Sequence, residues 1–145
     1  MLALTLTAPC SCFGAVDESG DVLVVIENRD GSFTEYDVFL ENVENKNKGA
    51  AGVLEHLAAQ DKNPLAVDMS NDSYGKYISS IGTLVPDAAS GEYICIYTSA
   101  EADFGTWDGV GEIMYGEVKL MMSGAGISYM TVTAGTAILF RIETF

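Results

Sequence analysis

Hydrophobic and polar positions alternate along most of this chain, and the period turns helical in one place. Residues 22–27 are almost all β-branched or aliphatic, as a half-buried strand requires. Arg29-Asp30-Gly31-Ser32 follows. Asp-Gly marks a tight hairpin turn, because both residues tolerate the backbone angles that turn demands. Residues 33–40 return with Tyr36, Val38 and Leu40 on one face and Asp37 and Phe39 on the other. A polar connection, ENVENKNKG, leads to AAGVLEHLAAQ. There Ala50, Val53, Leu54, Leu57 and Ala58 recur at i, i+3, i+4 and make one apolar stripe, while Glu55 and Gln60 face outward. Asn63-Pro64 stops the run, since a residue before proline avoids helical angles. The spacing predicts one principal helix over about residues 49–60, long enough to cover one face of one sheet.

Beyond the helix the period returns to two. PLAVDM predicts a short strand, SNDSYG a turn, KYISSIG a strand and LVPDAASG a loop. EYICIYTSA is the cleanest strand. Ile94 and Ile96 point one way, toward the helix-covered face, and Tyr93, Cys95 and Tyr97 the other. EIMYGEVKLMM and ISYMTV alternate again. Ala134-Gly135 turns the chain into TAILFRIETF, with Ile138, Phe140 and Ile142 on one face and Leu139, Arg141 and Glu143 on the other. No repeat, low-complexity tract or linker interrupts the series, so the expectation is a single domain over residues 1–145. A hairpin, a helix and then further strands is an α+β order, with one helix crossing a mixed sheet.

Charge narrows the partners. The chain has 145 residues, 21 acidic against 7 basic, and a formal net charge of −14. Nucleic acid is excluded as a partner, because its binding needs cations against phosphates. Anionic membrane surfaces are disfavoured for the same reason. No apolar run reaches the roughly 18 residues of a membrane helix. The opening residues have two readings. Leu2, Leu4 and Leu6 alternate with Ala3, Thr5 and Thr7, which predicts that an extension over residues 1–20 adds a strand. The same short apolar run with small residues is also like the tail of a clipped signal peptide, though it lacks the basic n-region.

The candidate chemistry sits after the EYICIYTSA strand, in an acidic, glycine-rich loop that holds the only tryptophan. Trp107, with Tyr97, Phe104 and Asp103 beside it, is either a platform for a ring or sugar, or an anchor that buries on the order of 200 Å² against its own sheet. Glu101, Asp103 and Asp108 are candidate calcium ligands, since hard cations take clustered oxygens, as are Asp68, Asn71 and Asp72. Neither spacing is that of an EF-hand, and both also fit a solvated acidic surface. Cys10, Cys12, Cys95 and His56 make a zinc set by composition, but the Cys-x-Cys spacing is shorter than structural sites use. A disulfide from Cys10 or Cys12 to Cys95 requires Cα atoms within about 7 Å. For catalysis there is little: one histidine, no G-x-S-x-G elbow, and a glycine-containing SGAGIS without the lysine of a phosphate loop. The expectation is a protein that is not an enzyme.

Three stretches in order carry a family likeness: VLVVIENRDGSFTEYDVFLEN with GAAGVLEHLAAQ, then SYGKYISSIG, then YICIYTSAEADFGTWDG with a closing VTAGTAILFRI. Over roughly residues 22–145 the chain resembles the domains similar to the carboxy-terminal domain of transcobalamin. Where that family commonly carries Gly-Trp-x-x-x-x-Asn-Gly, this chain has Gly91-Glu92-Tyr93 and Thr98-Ser99. The resemblance implies a β-grasp-like sheet wrapped around one helix. It also implies export, secreted or attached to the cell surface, often beside a neighbouring domain of a larger protein. The function expected is then a non-catalytic binding or adhesion module outside the cytoplasm, contacting an unknown ligand or surface partner through the Trp107 loop. Two alternatives stand beside it: a half-site for a corrinoid such as cobalamin, and a calcium-stabilised structural domain.

Overall fold

A computed structural model describes residues 20–145. The strand expected in residues 1–20 falls outside the described residues except for Gly20, and Cys10 and Cys12, with their candidate bridge to Cys95, fall outside them too. The elements run β1 (Asp21–Glu27), β2 (Phe33–Phe39), α1 (Gly49–Ala58), β3 (Val67–Asp72), β4 (Gly75–Ile81), β5 (Glu92–Thr98), β6 (Glu112–Tyr115), β7 (Val118–Met122) and β8 (Ala137–Thr144). Six strands form one mixed sheet in the order β2-β1-β8-β5-β7-β6, and β3 and β4 form a separate two-stranded sheet. Among the described residues only the β1–β8 pairing is parallel, with Leu23 beside Ala137 and Ile26 beside Phe140. The α+β class expected from the residue pattern is the class observed.

The hairpin forms as its turn residues dictate. Gly31 takes a φ of 88°, its amide donates to the Asn28 carbonyl at 2.9 Å, and the Ser32 carbonyl accepts from the Asn28 amide at 2.8 Å. Arg29 then reaches out of this turn to Glu92 at the start of β5 with two bonds, at 2.7 and 3.1 Å, and donates to the Val85 carbonyl at 2.9 Å. The turn is thereby tied to the loop before β5, far away in sequence.

One face of the large sheet carries the main core. Val22, Val24 and Ile26 of β1 and Ile138 and Phe140 of β8 are buried in one cluster with Val53 and Leu54 of α1 and Ile78 and Ile81 of β4. Phe140 is flanked by Ile26 on one side and Ile96 on the other. Ile94, Ile96 and Ile142 pack against the same cluster, on the face the alternation assigned to them. Helix and small sheet together thus cover what the helix alone was expected to cover.

Three expectations are corrected here. Ala58 is exposed and does not complete the buried stripe; Ala51 and Gly52 are buried in its place. The first turns of α1 are gripped from two sides. The Ala51 amide donates to the Ile127 carbonyl at 3.0 Å, and a Cβ on Gly52 would stand 2.1 Å from the Asn45 carbonyl oxygen. In the last turn it is Leu57 that is held, buried in the core and with its carbonyl accepting the Leu65 amide at 3.1 Å. Secondly, ISYMTV is not a strand. Residues 127–129 make a turn, closed by the Tyr129 amide on the Gly126 carbonyl at 2.8 Å. Ile127 and Met130, three apart, both plug the main core, which a period of two would forbid. The strand of PLAVDM also runs on through Asp72, shortening the turn that SNDSYG suggested.

The opposite face holds a second, smaller core of Val25, Cys95, Tyr97, Leu120, Ala137 and Leu139. It is enclosed because the sheet curls. Tyr115 on one edge strand, β6, hydrogen-bonds Glu35 on the other edge strand, β2, and its ring meets that of Phe33 at 5.1 Å. At the margin of this core Arg141 lies 3.3 Å from Glu27 and 3.7 Å from Glu143.

Candidate functional site

The loop that leaves β5 is held at several points along its length. The Thr98 hydroxyl accepts from the Ala100 amide at 3.0 Å, and a short 3-10 turn follows over Glu101–Asp103. The Asp103 carboxylate accepts the Thr131 amide and, at 3.4 Å, its hydroxyl. The Gly105 amide donates to the Met122 carbonyl at 2.9 Å, the Gly124 amide to the Asp103 carbonyl at 2.8 Å, and the Met122 amide to the Gly111 carbonyl at 2.9 Å. Every few residues the loop is stitched to β7 or to the segment after it.

Trp107 folds back over this stitched backbone. A Cβ on Gly105 would lie 2.3 Å from ring atom Cζ3, so the indole rests on a glycine that leaves room for it. The residue nonetheless stays 47% exposed. Its place is between the two expectations: the ring is seated, yet about half of it is open. It borders a cleft of about 290 Å³ lined by residues 102–107, Gly124 and Ala125. Phe104 lies in the wall, with the Lys119 ammonium 5.6 Å from its ring centre. The cleft is therefore aromatic and glycine-floored, with the Asp103 carboxylate already bonded to Thr131.

Tyr97 is corrected. It is only 2% exposed, on the second core face, and its hydroxyl donates to Glu143. A Cβ on Gly111 would stand 2.5 Å from that hydroxyl oxygen. Tyr97 thus props the far end of the loop from beneath and does not open to the cleft. Burial and the Glu143 carboxylate together raise its phenol well above the ordinary tyrosine range.

Glu101 and Asp108 are exposed, and only Asp103 of that trio turns inward to a bond. Asp68, Asn71 and Asp72 lie along exposed β3, where Asp72 accepts the Tyr74 amide at 2.8 Å. Among the described residues, no group of three or more His, Cys, Asp or Glu is placed to hold a metal ion. Cys95 is buried, and desolvation pushes its thiol up to about 11.

A larger cleft, about 410 Å³, lies beside α1 between Asn42, Glu44, Asn45, Glu55 and His56. Glu55 there faces Lys48 at 3.8 Å and Lys76 at 3.7 Å. The sequence pattern offered only a polar connection at this place. Its signal would have been Gly52, whose missing side chain brings Asn45 against the helix.

No family model matches the chain, and no curated protein matches it. Solved structures do share its fold. A protein of Ruminococcus gnavus ATCC 29149 to which metal binding is ascribed aligns with 87% of this chain and 98% of its own, at 15% identity and a TM-score of 0.55. Haptocorrin in complex with Cbi aligns with 87% of this chain at 16% identity and a TM-score of 0.55, over 25% of its own length. The chain thus spans about a quarter of the haptocorrin chain. The shared fold is consistent with the transcobalamin carboxy-terminal-domain-like architecture that the motifs implied.

Proposed function

We propose that this chain is a non-catalytic binding module working outside the cytoplasm, and that it takes its ligand or partner on the cleft beside Trp107. One observation carries the reading: a stitched loop holds a large aromatic ring on a glycine, half in solvent, at the rim of a concave surface. A ring whose only task was to plug the core would be buried. Fixing the ring beforehand lowers the ordering cost of binding. Phe104 and Trp107 supply apolar area, and Asp103 fixes the loop that carries them.

A second reading, a half-site for a corrinoid, is favoured by the likeness to one quarter of haptocorrin, whose structure contains Cbi. A planar macrocycle would lie on the same ring, and the remaining contacts would come from a neighbouring domain.

Because Trp107 is the only tryptophan, its fluorescence reports on this cleft alone. The probes are cyanocobalamin, calcium chloride and a panel of neutral oligosaccharides. Saturable quenching or a spectral shift with one of them, and loss of binding in a folded Trp107→Ala variant, supports the module. If Trp107→Ala instead costs several kcal/mol of stability, on the order expected for a buried Trp, and no probe moves the emission, the ring is an anchor and the proposal fails. Cyanocobalamin retention separates the corrinoid reading from the others.

A further inference from the structure

The small sheet presents an unused face on the far side from the core. Val67, Met69, Ile78 and Ile81 point inward to the main cluster. Asp68, Ser70 and Asp72 of β3 and Tyr77 and Ser79 of β4 are exposed, with Ser70 opposite Tyr77 and Asp72 opposite Gly75. A Cβ on Gly75 would lie 3.1 Å from the Tyr129 ring, so Tyr129 spreads over that glycine and joins the same face. Tyr74, Tyr77 and Tyr129 are 84%, 51% and 70% exposed. The Lys76 amide donates to the Ser128 hydroxyl at 3.0 Å and pins the Tyr129 turn to the hairpin. Tyrosine, serine and glycine on a fixed frame is the composition of protein-recognition loops, because tyrosine gives large contact area at small entropic cost. Neither of the two clefts described above includes these residues, so the face suits an extended partner better than a small enclosed ligand.

We propose that β3 is a strand-addition site for an extended, lysine- or arginine-bearing peptide segment of another protein. Among the described residues β3 pairs only with β4, and no other described strand occupies its second edge, the edge such an addition would use. Asp68 and Asp72 lie on the same outer face, and no ion pair among the described residues involves either. A peptide strand with cations at alternate positions sets them along these carboxylates and over the tyrosine rings, where a cation is also attracted. A second copy of this chain is a poor occupant, because it brings its own charge of −14. Charges on an edge strand also discourage self-association, but that role does not account for three exposed tyrosines beside them. This surface is independent of the Trp107 cleft.

The probe is the acetylated, amidated peptide (Lys-Thr)4, with two versions N-methylated at alternate amides, one for each register. Saturable binding is expected. It should fall by at least about tenfold in Asp68→Lys/Asp72→Lys, as for the loss of paired interface charges, and stay unchanged in Glu41→Lys/Glu117→Lys, which carries the same change of net charge. One N-methylated peptide should bind far more weakly than the other. No binding, equal losses in both charge variants, or equal binding of both N-methylated peptides overturns the proposal. So does indifference to the peptide with saturable binding of cellohexaose that Tyr77→Ala abolishes, which assigns the face to a glycan.

Discussion

Tyr115 and Glu35 stand on the two outermost strands of the six-stranded sheet and are joined by a hydrogen bond from phenol to carboxylate. A flat sheet would hold them at opposite margins. Their contact shows that the sheet rolls until its edges meet, enclosing Leu139, Tyr97 and Leu120. Burial, then the bond to Glu35, pushes the Tyr115 phenol up to about 12. A phenol raised in the folded state contributes stability that is whole below the unfolded value near 10 and is lost as pH rises toward 12. Tyr115→Phe should therefore cost about 1 kcal/mol or less at neutral pH. It should also flatten the decline between pH 10 and 12, followed by urea unfolding. An unchanged alkaline slope would contradict the seam.

Gly52 gives a prediction whose sign is decisive. On helix propensity alone, Gly52→Ala in α1 should stabilise by roughly 1 kcal/mol. The new methyl would stand 2.1 Å from the Asn45 carbonyl oxygen, a backbone atom that cannot swing away. Overpacking of this kind costs about 1–3 kcal/mol, so net destabilisation is expected in denaturant titrations. A stabilised variant would show that residues 42–48 do not press on the helix.

At acid pH the Arg29–Glu92 clamp should be visible. Bonding from Arg29, and from the Asp87 amide, holds the Glu92 carboxyl at about 2. A depressed carboxyl contributes stability that is whole above the unfolded value of 4.5 and is lost as pH falls to about 2. Glu92→Gln should melt lower than the parent at neutral pH, and the two curves should converge below pH 2. Parallel curves across that window would leave the clamp without energetic weight.

For the cleft, Gly105→Ala is the gentlest probe. Its methyl would meet the indole at 2.3 Å, and the indole, half in solvent, can move aside. Gly105 is itself buried, so the stability loss should be about 1 kcal/mol, the low end for overpacking because the indole can yield, while Trp107 emission shifts to the red. Unaltered emission would mean that the ring does not rest on this glycine.

Legibility followed the strictness of the pattern. The β1–β2 hairpin, α1 and the faces of β5 and β8 were readable because Asp30-Gly31, the Val53/Leu54/Leu57 stripe and the Ile94/Ile96 alternation each permit one arrangement. Residues 127–132 were not, since ISYMTV alternates only by coincidence; burial of Ile127 and Met130 at a spacing of three decided their shape. Tyr97 looked available because alternation names a face without saying what covers it. The curl that brings β6 to β2 is what buries it. The cleft beside Trp107 was foreseen as a loop, but the seat on Gly105 depends on a contact that no local pattern encodes.

The parallel pairing of β1 with β8 bears on how the chain is made. β1 has its central neighbour in β8, far later in the chain, so the antiparallel β1–β2 hairpin waits with one side bare until β8 has been made. Contacts so remote in sequence slow folding. Until β8 emerges, Val22, Val24 and Ile26 lack the Ile138 and Phe140 side of their core, a period in which chaperone occupancy should be highest.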